Sequence, residues 1–232
     1  MSPTIASRST VPVVSSSSPD RPAVQSAAQR AYGHVKERLL DGRFPGGTLL
    51  SENALARELG ISRTPLRQAF GQLEAEGLVE LYPRRGALVV PISASEADDV
   101  HEARELIECH CARRASEVGG AELTAALEDA IAAQERALSS AGAGFAQADR
   151  RFHRAIVAAA GNALLARSYD ALADRHQRIA ATTVARDPSR IERFIAEHRA
   201  ITEALARGEG EKAAELLRTH LSGARALARR RS

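Results

Sequence analysis

Four residues in the C-terminal half have the types and spacing to hold a metal ion. Asp149 and His153 are four apart, which in a helix puts them on one face, a turn from each other. His198 and His220 lie on two later stretches of helical pattern. Their neighbours are apolar: Phe152, Ile156 and Val157 beside His153, Ile201 and Leu205 after His198, Leu216, Leu217 and Leu221 around His220. The four groups therefore point toward a core, where each needs a partner. One shared divalent ion would satisfy all of them, and three imidazoles with one carboxylate suit Zn foremost, or Ni or Mn. The same spacing also fits an Asp–His surface pair and two ordinary helix histidines. Nothing local brings the three stretches together, and His34, His101, His110 and His176 show how readily histidine occurs elsewhere. A metal so held could also polarise a carbonyl or water in a hydrolase or isomerase. Against that enzyme reading, the chain has no nucleophile-elbow and no His-Glu-x-x-His sequence.

A second chemistry is written between Ser51 and Val90. Arg63, Thr64, Arg67 and Gln68 open a stretch in which Leu66, Ala69, Phe70 and Leu73 fall on the opposite, inward face. A guanidinium can bind guanine O6 and N7 in bidentate fashion, and an amide can pair with adenine. Ser62, Thr64 and the free N–H groups of a helix start suit phosphates. Past Gly77, two short β-patterned runs flank Pro83-Arg84-Arg85-Gly86, a turn with two guanidiniums at its tip.

The elements that would position these residues can be read in order. A helical pattern runs from about Gln25 to Leu40 and stops at Asp41-Gly42; a turn follows at 44–47. Ser51 caps a second helix that buries Leu55, Ala56 and Leu59 and ends at Gly60. Ser62 caps a third, with Pro65 tolerated in its first turn. Three helices and a β-hairpin with a basic tip describe a winged helix-turn-helix, which places one helix in a major groove of double-stranded DNA. Beyond 96, spans of about 96–118, 122–140, 144–160, 162–186, 188–207 and 210–230 are helical by pattern, separated by Gly or Pro breaks. Short connections between them predict an all-α antiparallel bundle. The expected fold is thus mainly α: a tail at 1–24 too polar to fold alone, a winged domain at 25–92, a linker at 93–96 and a bundle at 97–230.

Charge follows the same division. Residues 1–92 carry 11 Lys and Arg against 8 Asp and Glu, whereas residues 93–232 carry 21 of each, so the net +3 lies where a polyanion would be met. Cys109 and Cys111 diverge by roughly 200° around a helix and cannot bridge locally. With no bilayer-length apolar run and no secretory h-region, a cytoplasmic protein with no membrane partner is expected.

Two blocks carry family resemblances. The run from Leu59 to Arg67, then Leu73 to Val79, then Pro83 to Gly86, with Pro45-Gly46 and Leu50-Ser51-Glu52 upstream, resembles the DNA-binding domain of the GntR family of bacterial transcriptional regulators. The resemblance covers about residues 28–91 and implies operator contacts from Arg63, Thr64, Arg67 and the wing Gly86. Gln68 departs from the glutamate more usual there, and Asn53 from an arginine that some relatives use on DNA. Asp149-x-x-x-His153, Gly161-Asn162, Glu197-His198 and His220 resemble the FCD effector-binding domain of the FadR subfamily in its metal-binding form. That implies Asp149, His153, His198 and His220 as ligands, and Arg104 pairing with the carboxylate of a small organic acid effector. A guanidinium fork suits such a carboxylate, although Arg104 is also placed for an i,i+4 pair with Glu108. Asn162 has a match among effector-binding residues and also stands where it would cap the next helix. A homodimer on a palindromic operator follows from the resemblance and from the small area one module buries on DNA. The metal would take part in effector binding or serve structure alone.

Overall fold

The computed structural model describes residues 25–140, 142 and 144–228. The expected tail at 1–24 lies outside them. Ser26 opens the first helix, α1 (Ala27–Leu40), with a reciprocal capping box to Gln29. Helices α2 (Glu52–Leu59) and α3 (Arg63–Ala75) follow, separated by Gly60 in the left-handed region at φ 62°. Their apolar stripes meet in one cluster: Val35 and Leu39 of α1, Leu55 of α2, Leu66, Phe70 and Leu73 of α3.

The wing is a three-stranded antiparallel sheet and not the expected two-stranded hairpin. Strands β2 (Val79–Tyr82) and β3 (Gly86–Val89) form the hairpin, and β1 (Leu49–Leu50) pairs with the other edge of β3, Leu49 opposite Leu88. A strand of two residues has no alternation to reveal it.

The rest is helical: α4 (Ala94–Val118), α5 (Gly120–Leu138), α6 (Phe145–Ala159), α7 (Ala163–Asp170), α8 (Ala173–Arg186), α9 (Arg190–Ala206) and α10 (Gly210–Ala228). Two expectations are corrected. Ser93 caps a helix that starts at Ala94, so most of the expected linker 93–96 is helix and the connection is the stretch 90–92. The single helix expected over 162–186 is two, divided at Ala171 and Leu172, which carry no Gly or Pro signal. Tertiary packing makes that break: Tyr169 of α7 is buried beside Cys111 and Val157, while Ile179 of α8 packs on Ala97 and Val100.

The bundle core gathers Leu127 and Ile131 of α5, Phe145, Phe152 and Ile156 of α6, Ile191 and Ile201 of α9, and Leu217 of α10. Helix α8 also meets the winged half. Its Asp174 pairs with Lys36 of α1 at 2.8 Å, and its Arg178 donates to the carbonyl of Val90. Cys109 and Cys111 are buried free thiols, pushed up to about 11 by burial. Among the described residues no helix is long and apolar enough to cross a membrane.

Candidate metal centre and DNA-reading surface

Helices α6, α9 and α10 bring Asp149, His153, His198 and His220 together in the bundle core, all four buried, with one ligand atom of each within 4.8 Å of the others. His153 Nε2 and His198 Nε2 each lie 3.7 Å from Asp149 Oδ1, and His198 Nε2 is 3.3 Å from His220 Nε2. What turns the rings inward is a set of outer acceptors. His153 Nδ1 faces Glu108 Oε2 at 2.7 Å, His198 Nδ1 faces Gln134 Oε1 at 2.8 Å, and His220 Nδ1 faces Glu197 Oε2 at 2.7 Å. A carboxylate or amide oxygen can only accept, so each Nδ1 carries the proton and each Nε2 presents a lone pair. Three lone pairs and a carboxylate oxygen converging in a buried core repel one another unless a cation, a metal or a proton, lies between them. The donor set therefore fits a divalent metal, with the outer carboxylates and amide fixing ring orientation. Among the described residues His153 Nε2 has no hydrogen-bond partner, as such a role requires.

The electrostatics agree for His198 and His220, whereas His153 without an ion is drawn toward its protonated form. Burial pushes His198 well below the ordinary imidazole range, reinforced by the charges of His220 and His153. It lowers His220 too, against the pull of Glu197. For His153, burial opposes the charged ring, but Glu108 and Asp149 outweigh it and raise the group. Burial would likewise raise Asp149, yet His153 and His176 hold its carboxyl well below the usual range.

Beside the cluster lies a polar network that begins at Arg104. Its Nε donates to Glu108 Oε1 at 2.7 Å, and the Tyr169 hydroxyl donates to the same oxygen at 2.9 Å. Both Arg104 and Glu108 are buried, so the i,i+4 pair is real but internal. Arg104 Nη2 is left without a partner. A cavity of about 30 Å³ lies against Arg104, Asp149, His220, His101, His176 and Phe194. His176, grouped at first with the incidental histidines, bonds Asp149 Oδ2 through Nε2 at 2.9 Å, and burial holds it down to about 4. His101, Glu108, Gln134 and Tyr169 were missed as well. One signal was available: His101, Arg104 and Glu108 fall at i, i+3 and i+7, a polar stripe on a face otherwise made of Ala, Val and Cys. For Asn162 the structure shows the capping role, one of its two expected readings. Its Oδ1 accepts from the N–H groups of Leu164 and Leu165, capping α7, and the residue is exposed and outside the cavity lining.

On the winged half, Ser62, Arg63, Thr64, Arg67 and Gln68 are all exposed along the start of α3. Ser62 holds the N-cap position, but its hydroxyl makes no capping bond. Arg63 and Arg67 converge on Glu52 of α2, Arg63 Nη2 at 3.0 Å and Arg67 Nε at 2.9 Å from Oε2. At the wing tip Arg84 and Arg85 are exposed, Arg84 in the left-handed region at φ 66°. Gly86, which the resemblance implied as a DNA contact, is buried; a Cβ there would stand 2.0 Å from the Leu50 carbonyl oxygen. It shapes the wing by admitting β1.

The description "Bacterial regulatory proteins, gntR family" matches residues 27–89, and the FCD domain matches residues 99–223. The chain belongs to the GntR family of transcriptional regulators, in its FCD-containing branch. The "Probable D-xylose utilization operon transcriptional repressor" of Paenarthrobacter nicotinovorans is 30% identical over 85% of this chain and 86% of its own length. An HTH-type regulator from the TAR-I ttuE-ttuC' intergenic region of Agrobacterium vitis is 34% identical over 56% of this chain and 78% of its own. The fold of E. coli McbR/YncC superposes with a TM-score of 0.71 at 19% identity, over 88% of this chain and 98% of that one. A GntR regulator of Rhodococcus sp. RHA1 gives a TM-score of 0.73 at 23% identity, with the same coverage. This GntR regulator is therefore a DNA-binding transcriptional regulator, and the enzyme reading is set aside.

Proposed function

We propose that this regulator grips a two-fold operator as a homodimer and alters that grip when a small carboxylate enters the bundle cavity. The observation that carries the reading is the bare Nη2 of buried Arg104, lining the same cavity as Asp149 and His220 of the four-donor cluster. A buried guanidinium with an unused edge is a seat for a carboxylate. Asp149, His153, His198 and His220 would hold the metal, Zn fitting the nitrogen-rich set best. A bound divalent ion would supply a positive centre that the acid's carboxylate can ligate.

Residues 25–92 form the reading unit in this account. Arg63, Arg67 and Gln68 address base edges, Ser62 and Thr64 address phosphates, and Arg84 and Arg85 track the backbone or the minor groove. The bundle is the sensing and pairing unit, since one module alone buries too little on DNA for tight specific binding. Helix α8 supports coupling between the two, because it carries both His176 on Asp149 and the Asp174 and Arg178 contacts to α1 and Val90. An acid can shift the regulator only by its differential affinity for the two poses.

The test is fluorescence anisotropy on a labelled operator fragment enriched from a random duplex pool. Operator affinity should change when zinc is chelated, or when acids such as lactate or malonate are added, with folding monitored by circular dichroism. Unchanged affinity under every condition would defeat the switching idea; loss of fold on chelation would mark the metal as structural.

A further inference from the structure

One feature of the same cavity is unused by the metal cluster and by Arg104. His101 is 3% exposed, and neither ring nitrogen has a hydrogen-bond partner. It lies three residues before Arg104 on the inward stripe of α4, and both side chains line the cavity. His176 spends Nε2 on Asp149 and leaves Nδ1 bare, as Arg104 leaves Nη2 bare. Four unpaired polar atoms on three side chains thus surround one small space. Native interiors pair nearly all such atoms, so this concentration marks a place built for a polar occupant.

We propose that His101 forms a second subsite in the effector cavity, selecting a compact two-headed acid. One carboxylate meets Arg104 and the metal; a hydroxyl or second carboxylate meets His101. This rests on reading the cavity as a carboxylate site. Burial holds His101 down to about 3, so the ring is neutral and offers one N–H and one lone pair. A hydroxyl can use both, and a carboxylate can accept the N–H. A plain alkyl tail would leave both bare and bury them deeper. His101 and Arg104 lie three residues apart on one face of α4, which sets the second head close to the first.

The experiment is isothermal titration of the zinc-loaded full chain with three acids of equal carbon count, propanoate, lactate and malonate, with metal content measured afterwards. Lactate and malonate should bind about tenfold more tightly than propanoate, the worth of one good buried hydrogen bond. His101→Leu should erase the preference, with lactate and malonate binding no better than propanoate, and a circular-dichroism melt certifies the fold. His101→Gln, which keeps a donor and an acceptor, should retain the preference. Equal affinity of the wild type for all three acids, or equal loss of all three in His101→Leu, overturns the subsite and leaves His101 to water. If the wild type binds none of the three, the carboxylate reading itself fails, and the subsite with it.

Discussion

Glu108→Gln is the sharpest perturbation of the bundle. Glu108 is fully buried and does three things with two oxygens: it accepts from Arg104 Nε at 2.7 Å, from the Tyr169 hydroxyl at 2.9 Å and from His153 Nδ1 at 2.7 Å. Burial alone would favour its neutral form, yet Arg104 and His153 hold the carboxyl far below the usual range. The amide keeps the shape but removes the charge, and one of its two ends presents N–H where only an acceptor serves. Stranding one member of a buried ion pair costs about 3–5 kcal/mol. In a chain of this size each kcal/mol lowers Tm by about 2–4 °C, so the variant should melt roughly 6–20 °C below wild type. Circular dichroism melts at pH 7 measure this directly. Arg104→Met added to Glu108→Gln should recover part of the loss, because it removes the stranded cation and frees the amide oxygen for His153 or Tyr169. A competition titration with a chromophoric chelator should show zinc affinity reduced by about 10–100-fold, since His153 loses the acceptor that fixes its tautomer. A Glu108→Gln melt within 2 °C of wild type, or a double variant no more stable than the single, would refute the account of Arg104 and Glu108 as a buried pair.

Four further outcomes follow from the geometry. Stripping metal with a chelator should lower Tm by about 8–16 °C when zinc is at a thousand times its Kd, a linkage of about 4 kcal/mol, and an unmoved melt would argue against a resident ion. Arg67→Ala should cost about 1–3 kcal/mol of preference for selected over random duplex by anisotropy, with the melt unchanged; intact preference would place Arg67 off the bases. Gly86→Ala puts a Cβ 2.0 Å from the Leu50 carbonyl oxygen at a φ of 118°, so it should abolish DNA binding while the bundle still takes up metal. Metal-free protein should lose stability on acidification: His101 and His176 stay neutral when folded, at about 3 and about 4, but titrate near 6.5 when unfolded, so the unfolded chain binds more protons. Each ring should remove about 2 kcal/mol between pH 7.5 and pH 5, partly offset by His153, whose raised value works the other way. A stability profile flat over that range would contradict the buried neutral rings.

What could be read in the chain divides along a physical line. Caps, glycines and 3.6-residue apolar stripes are local, so the winged unit, six of the helix starts and the inward face of Asp149 and His153 were all visible. Strand β1 was not, since two residues carry no period, and neither was the break at Ala171, which no local breaker makes. The same holds for the site. Convergence of α6, α9 and α10 is a tertiary fact, and so are the outer acceptors Glu108, Gln134 and Glu197, each contributed by a different helix. The resemblance pointed to the same four donors as the spacing, and also named Asn162 and Gly86. Asn162 caps α7 and Gly86 admits the Leu50 backbone, so both have structural work in this fold.

The Glu52 clasp has a consequence for how the protein searches a genome. Off its operator, Arg63 and Arg67 share one carboxylate, so the reading face shows a net +1 where two free guanidiniums would show +2. Affinity for arbitrary sequence grows with each cation offered to phosphates, through the counterions that are displaced. On the proposed reading, Glu52 would keep the face lightly charged while scanning, and Arg67, held to Glu52 through Nε, would keep its Nη groups for a guanine edge. If Arg63 and Arg67 read bases as proposed, random duplex would be held more loosely than by two free guanidiniums, and time on DNA would be concentrated at sequences that reward both arginines at once.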